Sequence, residues 1–154
     1  MISNIFKVFF ISSSPILEIR GALPLALTFY KLPFPLAFLI CFLGNIFPVI
    51  FLLFFLEKIF LYFSRYSFFK KVFEWYFKKT DEKFSHYLKK WGKLALVMLV
   101  AIPLPFTGAW TGSIAAFLMR FQKKEAFFLI SLGVLIAGLI VSLLFYFGKF
   151  LFAF

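Results

Sequence analysis

The apolar positions of this chain fall in long blocks instead of recurring at the helical or strand spacing of a half-buried element. Two blocks, 33–56 and 126–147, run for more than 20 residues without a charge. At about 1.5 Å of rise per residue each is long enough to cross roughly 30 Å of hydrocarbon, so each predicts a transmembrane helix. Two further blocks, 2–30 and 94–119, are broken midway. The first break reads Pro15-Ile16-Leu17-Glu18-Ile19-Arg20-Gly21-Ala22-Leu23-Pro24, and the second Pro103-Leu104-Pro105-Phe106-Thr107-Gly108-Ala109-Trp110-Thr111-Gly112-Ser113. Proline removes a backbone donor and glycine admits unusual backbone angles, so a helix entering either stretch is expected to unwind. The arms on either side reach only about half the bilayer. Each broken block therefore predicts a re-entrant helical hairpin.

Charge decides how these pieces are oriented. Residues 57–93 hold 14 of the 23 charged residues, ten of them basic, and Arg120, Lys123, Lys124 and Glu125 form a second cluster. If 94–119 dips in and returns, both clusters share one face, and 13 of the 17 basic residues lie together. The positive-inside rule then makes that face cytoplasmic and places both termini outside. Hairpin followed by span is read twice, with an odd number of crossings between. The two halves are thus expected to be inverted repeats, a layout associated with secondary transporters. Within 57–93, aromatic residues at helical spacing (Phe69, Phe73, Tyr76, Phe77, then Phe84, Tyr87, Leu88, Trp91) alternate with lysines. They predict two interfacial amphipathic helices, with a break near Thr80 as N-cap and His86 as an interfacial side chain.

Composition narrows the function. Of the 154 residues 64% are hydrophobic and 28 are Phe, which excludes an ordinary soluble domain and leaves room for one membrane domain, 1–154. A single cysteine, Cys41, and a single histidine, His86, rule out a disulfide framework within the chain, a multi-cysteine metal site and a histidine-based triad. No cofactor or metal is expected, and no enzyme. The net charge of +11 reads as loop charge facing anionic lipid headgroups, with membrane lipids and not nucleic acid as the partner. Lys7 inside the first apolar stretch argues against a cleavable signal.

The candidate site lies at the breaks. Glu18 and Arg20 sit at membrane depth, where each ionised group costs about 2.5–3.5 kcal/mol even on mild insertion scales. Either they neutralise each other or cap backbone groups freed by unwinding, or Arg20 receives an anionic group while Glu18 exchanges a proton. Gly21 and Pro24 complete that break. In the second break, Pro105, Thr107, Gly108, Trp110, Thr111 and Ser113 either line an anion or headgroup site at a half-helix N-terminus or serve tight hairpin packing. Asn45 and Pro48 are expected to interrupt the first span, with Asn45 either bonded to a freed carbonyl or to the facing hairpin or contributing to the substrate site, and Gly133 and Gly138 to be packing points.

The run Glu18-Ile19-Arg20-Gly21-Ala22-Leu23-Pro24, followed by Pro103-Leu104-Pro105-Phe106-Thr107-Gly108-Ala109-Trp110-Thr111-Gly112, resembles the prokaryotic small multidrug export proteins. That family looks like a distant relative of the DedA (VTT-domain) membrane proteins, which carry paired re-entrant hairpins in inverted repeats. DedA proteins typically place arginines in the second hairpin, and here that hairpin has none. The resemblance implies an inner-membrane transporter, proton-coupled and acting on an amphiphilic or lipid-phosphate substrate; because two spans and two hairpins can hardly enclose a pathway alone, a homodimer or higher oligomer is expected. The competing expectations are a DedA-type flippase and a non-transporting membrane scaffold.

Overall fold

A computed structural model describes residues 2–63, 91–103 and 107–151. The regular elements among these are six helices: α1 (Ile2–Ser13), α2 (Glu18–Thr28), α3 (Phe34–Phe63), α4 (Trp91–Ala101), α5 (Ala109–Leu118) and α6 (Lys123–Leu151). The amphipathic helices expected within 57–93, the cap at Thr80, His86 and Pro105 lie wholly or mostly outside the described residues.

The two long helices contain the predicted spans and overrun them by up to a turn or two, because their charged ends can remain helical beyond the apolar stretch. They run antiparallel. Lys123 Nζ pairs with Glu57 Oε2 at 2.8 Å at one end, and the Phe34 and Tyr146 rings meet at 5.7 Å near the other. Along α3 the positions Ala37, Cys41, Asn45, Val49 and Leu53 are buried, while Leu39, Leu43, Phe47, Phe51 and Phe55 are exposed. In water the outward stripe of such a helix would be polar. Here both stripes are apolar, and the inward one carries the small residues and the amide, as expected when the outer solvent is lipid.

The short helices fill the inside of this pair. Lys93 Nζ reaches Glu125 Oε1 at 2.6 Å, and Val97 and Val100 pack on Gly133, so α4 runs alongside α6 in the same direction. Gly112 of α5 packs on Val100 and near Ile130, and Phe117 lies beside Leu53 and Lys123. Thus α5 returns to the end from which α4 set out. On the other side, Ile19 and Phe38 pack on Gly138, and α2 leads through a short turn into α3. Gly133 and Gly138 are both points of close helix approach.

The two turns into the long helices share a device. Lys31 before α3 and Arg120 before α6 both have positive φ, 50° and 57°. After α5 the turn is closed by Phe121 N–H to the Ala116 carbonyl and Arg120 N–H to the Phe117 carbonyl, both 3.0 Å. This is a Schellman arrangement, with an arginine at the left-handed position that glycine usually holds.

Three sequence expectations need correction. The first break is narrower than Pro15–Pro24: only Ser14–Leu17 separates α1 from α2, and Gly21 and Pro24 are helical. Pro24 removes one helix donor, a loss that membrane helices absorb when neighbours re-satisfy the backbone. The second break likewise closes by Ala109, so Trp110, Thr111 and Ser113 lie on α5. Asn45 and Pro48 do not interrupt α3, which is continuous with Pro48 inside it. Pro48 leaves the Gly44 carbonyl without its helical donor, and the Ser13 hydroxyl of α1 donates to that oxygen at 2.7 Å.

Candidate functional site

An α-helix exposes unpaired N–H groups at its start and unpaired carbonyls at its end. The second break creates one of each, the end of α4 and the start of α5, inside the bundle. Both are met by side chains from the first turn of α2, just past the first break.

At the start of α5 the N-cap is Gly108, which has no side chain to accept the first N–H groups. Glu18 supplies the missing acceptor from α2: its Oε1 accepts the Trp110 N–H at 3.3 Å. The fit is close enough that a Cβ on Gly108 would collide with the Glu18 carboxylate. Gly108 also has φ 133° and ψ −163°, a region open essentially to glycine alone. The backbone of Gly108 and the carboxylate of Glu18 therefore share the space where a capping side chain would ordinarily begin. Glu18 itself has φ 48°, a left-handed conformation uncommon outside glycine and asparagine, and is only 4% exposed.

At the end of α4 the opposite charge is used. Arg20 Nη2 donates to the Val100 carbonyl at 3.2 Å and to the Ile102 carbonyl at 3.0 Å. The Thr107 hydroxyl also donates to Ile102, at 2.8 Å. An acid at a helix N-terminus and a base at a helix C-terminus each oppose the helix dipole favourably. Two residues of one chain segment, separated by Ile19, thus serve two helix ends that point opposite ways. Ile19 is buried between them on Gly138.

Trp110 ties the breaks together a third time, its indole N–H donating to the Ser13 carbonyl at 3.1 Å at the end of α1. The Thr111 hydroxyl donates to the carbonyl of the N-cap Gly108 at 3.3 Å, and the Ser113 hydroxyl to the Ala109 carbonyl at 2.7 Å within α5. Gly21 packs on Leu17, and Pro24 accepts the Thr28 hydroxyl at 2.8 Å. Asn45 is fully buried on α3, with neither amide atom hydrogen-bonded. Among the described residues no group of three or more His, Cys, Asp and Glu side chains is placed to hold a metal.

Beside Trp110 and Ser13 runs an apolar groove of about 430 Å³, walled by Phe47, Pro48, Phe51 and Phe55 of α3. That volume falls within the range of small-molecule sites. Ser13 and these phenylalanines escaped the sequence reading. The Ser12-Ser13-Ser14 run, polar within an apolar block, was the signal for the first; nothing distinguishes three phenylalanines among 28.

Two long apolar antiparallel helices, enclosing short helices whose breaks face each other through buried charge, define a small helical membrane protein. A family model described as "Putative small multi-drug export protein" matches residues 18–140, and the chain belongs to that family. The match begins at Glu18, just past the first break, and takes in Arg20 and the whole of the second break. No curated protein and no solved structure matches the chain.

Proposed function

We propose that this chain is a non-enzymatic, proton-coupled membrane transporter that moves an amphiphile with an anionic headgroup through a site between the two breaks. In this reading each break is the tip of a re-entrant hairpin, and the halves are inverted repeats of a chain resident in a prokaryotic inner membrane. Residues 57–93 and 120–125 are cytoplasmic, the termini are outside, and the working unit is a homodimer or higher oligomer. The return of α5 to the end where α4 begins, and the matching positive-φ turns at Lys31 and Arg120, support that layout.

The observation that carries the reading is the Glu18 carboxylate at the start of α5. A helix N-terminus with free N–H groups is an anion site, and here the protein's own anion fills it. A proton on Glu18 discharges the carboxylate and weakens its charge-assisted hold on the Trp110 N–H. An anionic headgroup can then take that place beside Arg20, with its apolar part in the groove along Phe47, Phe51 and Phe55. Proton and anion bind together because each removes the obstacle to the other.

The test is flux and binding in reconstituted vesicles, with polyprenyl phosphates and cationic dyes as the panel. Glu18→Gln keeps an acceptor for Trp110 but cannot exchange a proton. Anion binding should strengthen as pH falls in the native chain and become independent of pH in the variant, and Arg20→Ala should abolish it. Selective movement of polyprenyl phosphates would refine the reading to a lipid-carrier flippase. A second reading, a membrane scaffold, draws on the same caps, since Glu18 and Arg20 already complete two helix ends. Flux with the native chain no greater than in empty vesicles would decide for it.

A further inference from the structure

The end of the bundle where α3 finishes and α6 starts carries a second feature, separate from the breaks. An apolar groove of about 160 Å³ is lined by Ile50, Phe54, Phe127 and Phe128, with Lys123 and Lys124 at its rim. It adjoins a depression of about 310 Å³ between Glu57 and Arg120. Three bases and one acid border the two together. The acid, Glu57, is engaged with Lys123 at 2.8 Å, and the same ammonium lies 5.5 Å from the Phe54 ring centre. Glu125, the other acid nearby among the described residues, is held by Lys93 at 2.6 Å. Among the described residues that border the two, bases thus outnumber acids where two apolar helices leave the hydrocarbon. That is the depth at which lysine stems lie on apolar surface and their ammonium groups reach the headgroup layer.

We propose that this groove binds one anionic phospholipid of the surrounding leaflet, its phosphate among Lys123, Lys124 and Arg120 and an acyl chain along Ile50, Phe54 and Phe128. The complementarity is double. An apolar groove suits an acyl chain, and cations at its rim suit a headgroup of net negative charge over a zwitterion whose own ammonium already balances its phosphodiester. Arg120 adds a further sign: it holds a left-handed position where glycine would be relaxed, and from there its side chain borders the depression. The site is independent of Glu18, so a failed transport assay leaves it standing.

The experiment is native mass spectrometry of the full chain in a neutral detergent, titrated separately with phosphatidylglycerol, phosphatidylcholine and inorganic phosphate. One phosphatidylglycerol should be retained in preference to phosphatidylcholine, and millimolar phosphate should not displace it. Lys123→Gln and Lys124→Gln should each weaken retention about fivefold, near the worth of one lysine facing anionic lipid. Ile50→Trp, which fills the groove without changing charge, should weaken it as well. Arg120→Gly should lower retention while the thermal midpoint holds or rises, which separates loss of the site from loss of the fold. Equal retention of phosphatidylcholine, displacement by phosphate, or lysine variants that bind as the native chain does would each overturn the proposal.

Discussion

The first break leads directly into an acid and a base, Glu18 and Arg20 in the first turn of α2, whereas the second is flanked by neither, only by small residues, hydroxyls and a tryptophan. Their backbones differ in the complementary way. The first break spans four residues, Ser14–Leu17, and the second leaves the ends of α4 and α5 to be capped from elsewhere. One break thus supplies full charges and the other supplies helix ends. The division has a physical reason. A free helix end in a low-dielectric interior needs a partner of opposite sign, and a charged side chain in the same place needs one too. Bringing the two deficits together satisfies both, while a carboxylate or a guanidinium added to the second break would have to find space that Glu18 and Arg20 already fill.

The comparison can be broken most severely at Gly108. Gly108→Ala puts a Cβ where the Glu18 carboxylate lies and forces alanine into a glycine-only conformation. That conformation alone costs about 1–3 kcal/mol, and eviction of the carboxylate adds to it, so thermal unfolding in detergent should show the largest loss of the series. Arg20→Ala comes next: it strips a charged donor from the Val100 and Ile102 carbonyls, and bonds of that kind are worth about 1.5–3 kcal/mol. Arg20→Lys should recover only part of the loss, because an ammonium cannot match the guanidinium's planar fork.

Smaller changes sharpen the picture without dismantling it. Trp110→Phe keeps the ring and removes the bond to the Ser13 carbonyl, and should cost about 1 kcal/mol. Its clearest readout is faster amide exchange at the end of α1. Ser13→Ala should cost a similar amount of about 1 kcal/mol, because the Gly44 carbonyl that Pro48 leaves without a helical donor would lose its hydroxyl partner. In a Pro48→Ala background the helix supplies its own donor again, so the same serine change should cost less than half as much. A double-mutant cycle giving no coupling between positions 13 and 48 would show that the hydroxyl does not serve that carbonyl.

Much of this was legible along the chain. The two long helices follow from uninterrupted apolar length, and the positions of the breaks follow from proline and glycine. Glu18 and Arg20 stand out because ionised groups are rare amid such apolar sequence. What the residues did not disclose was the partner of each charge. Read locally, Glu18 and Arg20 compensate each other or serve their own break; in the fold they reach residues 92 and 82 positions away. Nor could the N-terminus of α5, legible as an anion site, be recognised as one the protein fills itself. The extent of unwinding was overread for a related reason. Proline announces a missing donor, but whether the helix stops depends on what else can satisfy the abandoned carbonyl, and for Pro48 that is a serine 35 residues earlier.

By itself the sequence determined that this chain lives in a membrane, how many long helices it has, and where helical continuity is at risk. Each of these depends on the transfer cost or backbone geometry of residues close together in the chain. Tertiary structure alone decided which helix end meets which charge, that Gly108 and Glu18 occupy one another's space, and where grooves open beside Trp110 and Lys123. Those outcomes depend on how segments far apart in the chain pack, and local pattern carries no information about the distance between them.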